Sequence, residues 1–265
     1  MVTKKQILVT NDDGFDCVGL KYLVDALKPL ANVIVVAPSM NKSACSHSMT
    51  LTQPLRFKYI DKNFYRLDDG TPTDCVFLAL HNLYPKGVLP DLVISGINIG
   101  SNMGEDITYS GTVAGAMEGV LQGVPSIAIS QVYNNLNNSD PKEDWDFELA
   151  CKTIVDITKR IFEDKFPLGE RKLLNINIPQ INIKECNGVK ITRAGHRIFG
   201  NDCHKYLDPK GCEFHWIGLH PLRWDITKAQ NCDFSAIDKN YVAITPVRVD
   251  MTSYDEIQTL DDWIL

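Results

Sequence analysis

The chain has 265 residues, 44% of them hydrophobic, which is enough apolar side chain to bury one large core. Lys and Arg number 27 against 33 Asp and Glu, so the formal net charge is -6. This balance argues against a broad basic surface for a phosphate backbone, and we expect no stable nucleic-acid partner. A small phosphate ester stays compatible with the charge, because a bound divalent cation supplies positive charge locally.

The N-terminus and the cysteines indicate a cytoplasmic protein. The apolar run at residues 7–9 ends at Asn11, much too soon for the core of a signal peptide, and no stretch approaches the length of a membrane span. The eight cysteines form no C-x-x-C pair and lie in a chain long enough to fold without disulfides. We therefore expect free thiols and no membrane association.

Short apolar runs alternate with helical patterns as far as residue 178. In chain order, the patterns predict strand 7–9, helix 20–27, strand 33–36, strand 92–94, helix 113–121, strand 126–129, helix 147–162 and strand 173–178. Each strand is apolar at successive residues, as expected where helices cover both faces of a parallel sheet. The sequence therefore predicts an open α/β sheet.

The pattern changes after residue 187. Short strand-like pieces surround turn signals such as Asp208, Pro209, Lys210 and Gly211, and they predict a β-hairpin extension. We predict a single domain composed of an α/β core at 1–187 and about 236–252, the extension at about 188–235 and a C-terminal tail at 253–265.

Polar segments follow three of the predicted strands, at residues 11–14, 37–48 and 95–112. Open α/β sheets bind ligands beyond the carboxyl ends of their strands. We therefore expect these segments to converge on one edge of the sheet. All three are rich in oxygen ligands and hydrogen-bond donors.

The first of these segments contains two successive carboxylates, Asp12 and Asp13. Adjacent carboxylates repel each other, and a divalent cation would offset that cost. Oxygen ligands suit Mg²⁺ or Mn²⁺ better than zinc. Gly14 permits the chain to turn so that both acids reach one ion. The alternative is an ordinary turn that caps the next helix, which Asp-Asp-Gly alone predicts equally well.

Ser110, Gly111 and Thr112 precede a helix that is rich in alanine and glycine. Hydroxyl groups and free backbone N–H groups at a helix start favour an anion, although helix capping alone also explains Ser and Thr. The glycines at 111, 115 and 119 recur every fourth residue, which indicates close helix packing.

Two other sets of residues have structural interpretations. His47 lies in a polar loop, where a lone histidine is more often a structural hydrogen-bonding group than a catalytic acid. In the extension, the Cys and His spacings match no familiar zinc site and indicate ordinary hairpin residues: Cys203, His204, Cys212, His215 and His220.

Together these segments resemble the SurE family of nucleotidases. The motifs that carry the resemblance cover most of the chain in order: residues 7–14, 37–38 with 41–43, 70–76, 95–98, 109–119, 175–179, 208–211, 245–246 and Asp250. Several spaced motifs make an accidental similarity improbable, whereas each alone is a weak signal. One departure is Ala44, where the family often has glycine after a ligand serine.

The resemblance implies a Rossmann-like core, one divalent metal ion per subunit (Mg²⁺ or Mn²⁺) and a homodimer or homotetramer assembled partly through the hairpin and tail. By position, it makes Asp12, Asp13, Ser43 and Asn98 the metal ligands, with Asp12, Asp13 and Asn98 also catalytic. Asn102, Ser110, Gly111 and Thr112 would bind the substrate phosphate.

The implied activity is that of a 5′-nucleotidase: hydrolysis of nucleoside 5′- and 3′-monophosphates by a metal-activated water. A phosphatase with an aspartyl nucleophile is an alternative, because an Asp after the first strand suits that role. A receiver-like signalling domain needs an acceptor Asp where this chain has Ser95 and Gly96. A non-catalytic nucleotide sensor would use the same binding residues as the enzyme.

Overall fold

In the first half of the chain, buried strands and helices alternate as the apolar pattern predicts. The structure is a computed structural model that describes residues 4–133, 145–200, 203–217, 223–228 and 230–265. Its elements up to residue 131 are β1 (Gln6–Thr10), α1 (Val18–Leu27), β2 (Asn32–Pro38), β3 (Arg56–Asp61), β4 (Phe64–Asp68), α2 (Pro72–Asn82), β5 (Leu92–Ile99), α3 (Gly111–Leu121) and β6 (Ser126–Gln131). A short 3-10 helix, Gly104–Thr108, lies between β5 and α3.

The second half contains fewer helices and shorter strands. Its elements are α4 (Glu148–Asp164), β7 (Lys172–Ile178), β8 (Val189–Ile191), β9 (Cys203–Leu207), β10 (Glu213–Ile217), α5 (Asp233–Asp238), β11 (Val242–Arg248) and α6 (Ile257–Ile264). Single 3-10 turns occur at Ile183–Glu185, Ile226–Lys228 and Tyr254–Glu256.

Nine strands form one sheet in the order β3-β4-β2-β1-β5-β6-β7-β11-β8. The β3–β4 and β7–β11 pairs are antiparallel, and the other neighbours are parallel. Helices lie on both faces, so the prediction of a Rossmann-like, open and mostly parallel sheet is confirmed. β1 lies between β2 and β5, so the strand order reverses at β1: the chain passes from β1 to β2 on one side and returns later to β5 on the other side. Such a reversal opens a crevice at the carboxyl ends of the strands.

Successive side chains of β1 supply the cores on the two faces of the sheet. Val9 is buried in a cluster with Leu23 of α1 and Ile154 of α4. Leu8 points to the opposite face, where it packs in a cluster with Val76 of α2. Full burial of such a side chain stabilises the fold by roughly 1.5–3 kcal/mol. The strand is therefore apolar at successive residues because both of its faces are buried.

The glycines of α3 let this helix pack directly on the strands beneath it. A Cβ atom at Gly115 would lie 2.8 Å from Thr10 Cγ2 and 2.9 Å from Ser95 Oγ. At Gly119 it would lie 2.2 Å from Ser126 Oγ. The prediction of close helix packing is therefore confirmed, and this packing brings the start of α3 to the ends of β1 and β5.

The extension contains the predicted hairpin. β9 and β10 pair in antiparallel register, with Phe214 opposite Tyr206, and they form a sheet of their own. β8 instead joins the main sheet beside β11, with Val242 opposite Val189. The extension therefore begins as an edge strand before the chain leaves the sheet, and the division into core, extension and tail stays a prediction.

Three early elements, β3, β4 and α2, are absent from the predicted list. β3 and β4 form an edge hairpin whose outer strand is mostly exposed, so it lacks the continuous apolar run of a buried strand. α2 begins with a capping box, in which Thr71 Oγ1 accepts a hydrogen bond from Asp74 N and the Asp74 side chain accepts one from Thr71 N. That pattern, with Pro72 at the helix start, is visible in the sequence.

Candidate active site

Backbone hydrogen bonds join the three polar segments at the carboxyl edge of the sheet. Lys42 N, in the loop after β2, donates to the Asp12 carbonyl oxygen at 2.7 Å. Ser46 N donates to the Tyr109 carbonyl oxygen at 3.0 Å, and Ser46 Oγ donates to the Thr108 carbonyl oxygen at 2.7 Å. The loop after β2 therefore contacts both the acidic loop and the segment before α3, as the sheet topology predicts.

Asp12 lies at the start of α3, almost entirely out of solvent. Its side chain is 3% exposed, and its Oδ1 accepts a short hydrogen bond from Thr112 Oγ1. Burial raises the pKa of Asp12 above its usual range, while hydrogen bonds from the Thr112 hydroxyl and from the backbone of Gly111 and Thr112 oppose this increase. The close approach requires glycine at 111, because a Cβ there would lie 2.8 Å from the Cβ of Asp12.

Asp13 is less buried and contacts the end of β5. Its Oδ2 accepts a hydrogen bond from Ile99 N at 3.2 Å. Burial and, after it, the neighbouring charge of Asp12 together raise the pKa of Asp13 to about 6. Partial desolvation raises the pKa values of both carboxylates, and a cation bound between them would stabilise their charged forms.

Asn98 and Ser43, the other two predicted ligands, lie at the same edge in different environments. Asn98 is 8% exposed, and its Nδ2 donates to the Gly100 carbonyl oxygen at 3.0 Å, which leaves Oδ1 as the oxygen available to an ion. Ser43 is exposed, and its backbone N donates to Asn41 Oδ1 at 2.7 Å. Ala44 has φ +57°, in the left-handed region that favours glycine. In the part of the chain that the structure describes, no hydrogen bond joins the Ser43 hydroxyl to either carboxylate.

The donor set fits a hard divalent cation. Asp12, Asp13 and Asn98 offer oxygen atoms, as Mg²⁺ and Mn²⁺ prefer. Next to them, Asn11 Oδ1 is buried without a hydrogen-bond partner. Within the described residues no group of three or more His, Cys, Asp or Glu is placed to hold a metal, and this site has only two carboxylates of that kind. The remaining ligands would therefore be neutral oxygens.

Ser110 and Thr112 both use their hydroxyl groups inside the protein. Ser110 is the N-cap of α3, and its Oγ accepts a hydrogen bond from Val113 N at 3.0 Å. Thr112 donates its hydroxyl to Asp12. Capping and orientation of Asp12 are thus both observed, and the backbone N–H groups at the helix start are the donors that suit a phosphate.

Asn102 is held from two neighbouring strands. Its Nδ2 donates to Ser130 Oγ of β6 at 2.8 Å. Its backbone N donates to Asn177 Oδ1 at 2.9 Å, and its carbonyl oxygen accepts from Asn175 Nδ2 at 2.8 Å and from Asn177 Nδ2 at 3.0 Å. These supporting residues on β6 and β7 were not predicted. The available signal is the pair of asparagines at alternate positions of one strand, which places both on the same face.

The structure places His47 and the cysteines and histidines of the extension in different surroundings. His47 Nε2 lies 3.0 Å from Glu118 Oε2, and Glu118 is 3% exposed on α3. His47 therefore makes the kind of hydrogen bond that its structural interpretation predicts. Cys203, His204, Cys212 and His215 lie on or next to the exposed strands of the hairpin, whereas His220 lies outside the described residues.

The sheet reversal at β1, the paired acids and the adjoining helix start define a class: a Rossmann-like α/β protein with an oxygen-lined ligand site at the carboxyl edge of its sheet. The chain belongs to the SurE family, whose sequence pattern, described as Survival protein SurE, matches residues 7–201.

Relatives of known name match along nearly the whole chain. A protein of Aliarcobacter butzleri named 5'-nucleotidase SurE is 57% identical over 260 residues, covering 98% of this chain and 99% of the relative. A protein of the same name from Helicobacter hepaticus is 57% identical over 264 residues, covering 98% and 99%. The crystal structure of the SurE protein from Aquifex aeolicus is similar with a TM-score of 0.83 and 41% identity, covering 98% of this chain and 100% of that one.

None of the helices among the described residues has the length and apolar character needed to cross a membrane.

Proposed function

We propose that this protein is a metal-dependent 5′-nucleotidase that hydrolyses nucleoside 5′- and 3′-monophosphates. The relatives named 5'-nucleotidase SurE support the activity, because they are 57% identical over almost the full chain. The observation that carries the proposal is the placement of Asp12 against the start of α3, with its neighbour Asp13 at the end of β5. Ligands for a cation and donors for an anion thus adjoin each other, as a phosphate ester with a divalent metal requires.

Asp12, Asp13, Ser43 and Asn98 are the proposed ligands of one Mg²⁺ or Mn²⁺ ion per subunit. When bound, the ion would polarise a phosphoryl oxygen and lower the pKa of a bound water, which would attack in line with the leaving nucleoside oxygen. Of the four, Ser43 is exposed, so its side chain has freedom to adjust its distance to the carboxylates.

The other residues bind and orient the phosphate. Thr112 holds Asp12 through its hydroxyl, and the backbone N–H groups of Gly111 and Thr112 also donate toward the Asp12 carboxylate, beside which a bound phosphate would lie. Asn102 Nδ2 donates one hydrogen to Ser130 and has a second available for a phosphate oxygen. Ser110 fixes the helix start by capping it. The chain thereby supplies neutral donors, which orient an anion without competing for the cation.

Phosphate release from AMP and GMP, measured with and without Mn²⁺, tests this proposal. We expect activity to require the metal, and we expect Asp12→Asn combined with Asp13→Asn to reduce kcat by more than about 100-fold. Asp16→Asn, an exposed acid of the same loop, is the matched control and should retain activity. Undiminished turnover by the double variant would contradict the proposal, and binding of AMP without turnover would favour a nucleotide sensor.

Trapping of a phosphorylated enzyme would instead favour the aspartyl-nucleophile mechanism. The hydrogen bond of Asp12 with Thr112 and its 3% exposure favour orientation of this carboxylate as a ligand. Reactions with phosphate-labelled AMP can be quenched in acid, and label that stays on the precipitated protein would indicate the aspartyl-nucleophile mechanism.

The protein also fits assembly into a homodimer or homotetramer through the hairpin and tail. Trp216 on β10 is 66% exposed and Trp263 on α6 is 80% exposed, and such apolar surface is typical of interfaces. A solution mass of a monomer would contradict this assembly.

All eight cysteines are free thiols, which supports a reducing, cytoplasmic location.

A further inference from the structure

Two exposed aromatic side chains lie beside the start of α3. Tyr109, the residue before the helix cap Ser110, is 57% exposed, and Phe199 is 47% exposed. Their ring centroids are 6.3 Å apart, and the ring planes meet at 78°. The two residues come from distant parts of the sequence, so tertiary structure creates the pair.

Polar contacts hold the segments that carry these two rings. Arg197 N donates to Glu105 Oε2 at 2.5 Å, and Arg197 Nε donates to Asp106 Oδ2 at 2.9 Å. The guanidinium of Arg197 also lies over the ring of Phe199, 5.5 Å from its centroid. Phe199 is therefore anchored to the 3-10 helix that leads into Tyr109.

A buried carboxylate joins the same two segments at their beginnings. Asp233, with 0% exposure, accepts hydrogen bonds from Gly104 N and from Gly195 N, both at 2.9 Å. Two direct hydrogen bonds and the bridge through Asp233 thus join the segments that carry the two rings, while the rings remain open to solvent. Such preorganisation is typical of a binding surface, since a ligand then pays less entropy to use it.

We propose that Tyr109 and Phe199 form the surface that binds the nucleobase of the substrate, an inference that rests on the proposed nucleotidase function. Consecutive Cα atoms are about 3.8 Å apart, so Tyr109 adjoins the residues assigned to the phosphate. A nucleoside monophosphate carries a flat, apolar base on the other side of its ribose from the phosphate. The aromatic pair supplies the stacking surface for that base.

Stacking also defines the class of substrate. Every nucleobase has a π-face, so aromatic platforms bind bases with little discrimination among them. The pair therefore distinguishes a nucleotide from a sugar phosphate, and it favours purines only to the extent of their larger ring area.

Substrates with and without a base test this assignment. We compare the ratio of kcat/KM for AMP to kcat/KM for ribose 5-phosphate in the wild type, Tyr109→Ala and Phe199→Ala. Each alanine variant should lower this ratio about ten-fold, as expected for loss of one stacking contact. Tyr109→Phe and Phe199→Tyr should restore most of it. Tyr59→Ala removes a 67% exposed ring on β3, an edge strand of the sheet, and should keep the wild-type ratio.

Inhibition of AMP hydrolysis provides a measurement that does not depend on turnover of ribose 5-phosphate. The inhibition constant of adenosine should rise about ten-fold in both alanine variants. The inhibition constant of inorganic phosphate should be the same in the alanine variants as in the Tyr59→Ala control.

Each other outcome overturns the assignment. An unchanged ratio with hydrolysis of AMP intact rejects the base site and leaves the nucleotidase function standing. Equal losses on both substrates indicate a structural role for the rings. An unchanged ratio with an altered solution mass assigns them to an interface between copies. A wild type that hydrolyses neither ester overturns the nucleotidase function and this inference with it.

Discussion

Helix α3 and the β9–β10 hairpin have opposite relations to solvent. Residues 111–120 of α3 are all buried, whereas every residue of β9 and β10 is exposed. The helix carries polar groups that have partners inside the protein, such as Thr112 with Asp12 and Glu118 with His47. The hairpin carries apolar groups that contact mainly each other, such as Tyr206 and Phe214 with centroids 5.5 Å apart. The first region therefore contributes buried packing to the protomer, and the second offers exposed apolar surface for the assembly proposed above.

The largest loss of stability should come from adding a side chain between α3 and the strands beneath it. Gly115→Val places a side chain where even a Cβ lies 2.8 Å from Thr10 Cγ2. We expect the free energy of unfolding to fall by about 3 kcal/mol or more, because a well-packed interface cannot accommodate the added atoms. Urea denaturation measures the loss. Gly169→Ala is the control, since the nearest atom to its added Cβ is 4.0 Å away. Equal stability of the two variants would show that α3 packs less tightly than described.

A smaller effect should follow from the charge of Asp13 in protein stripped of metal. Its pKa is raised to about 6 in the folded state from 3.8, so the folded state holds this proton more tightly than the unfolded state does. The free energy of unfolding should therefore fall as pH rises from about 4 to about 6, by up to about 3 kcal/mol.

Asp13→Asn isolates that contribution, because the amide stays neutral at every pH. Relative to the wild type, the variant should gain stability between about pH 4 and pH 6 and keep the gain at pH 7. Thermal or urea unfolding in EDTA measures the difference. Added Mn²⁺ should stabilise the wild type more than the variant, since an ion bound to the folded state adds its binding free energy. A pH-independent difference between the two proteins would contradict the raised pKa.

The smallest effect on the protomer should come from the hairpin. Trp216→Ala should change the free energy of unfolding of the dilute protein by less than about 0.5 kcal/mol, because the side chain is 66% exposed. The same variant should reduce the solution mass if the hairpin assembles copies of the chain. Trp216→Phe is the control and should keep the mass. A large loss of protomer stability would mean that the hairpin is part of the core.

The apolar pattern predicted the five central strands, β2, β1, β5, β6 and β7. These strands are buried on both faces, so successive residues such as 7–9 are apolar. The pattern predicted neither β3 and β4, the two outer strands on one side of the sheet, nor β11 and β8, the two on the other side, and of these β3 and β8 are mostly exposed. Edge strands gain their pairing from a neighbour, and their sequences carry little signal of it.

The candidate site divides in the same way. The convergence of the polar segments follows from the sheet topology and could be predicted. The hydrogen bond of Thr112 with Asp12 and the support of Asn102 by Asn175 and Asn177 could not, because each depends on side chains from elements distant in sequence. Ser43 is proposed as a ligand from the family resemblance alone, since its hydroxyl makes no hydrogen bond to the acids among the described contacts.

The hydrogen bonds of the loop after β2 have a consequence for protein engineering. Lys42 N and Ser46 N tie this loop to Asp12 and Tyr109, so an inserted tag or fluorescent label between them would pull the site apart. The turn at Lys62 and Asn63, between β3 and β4, lies at the sheet edge in an exposed hairpin. Insertions succeed mainly at such exposed loop tips. This turn should therefore accept a reporter on the Lys62 side, whereas the Asn63 carbonyl oxygen accepts a hydrogen bond from Val35 N of β2 at 2.8 Å.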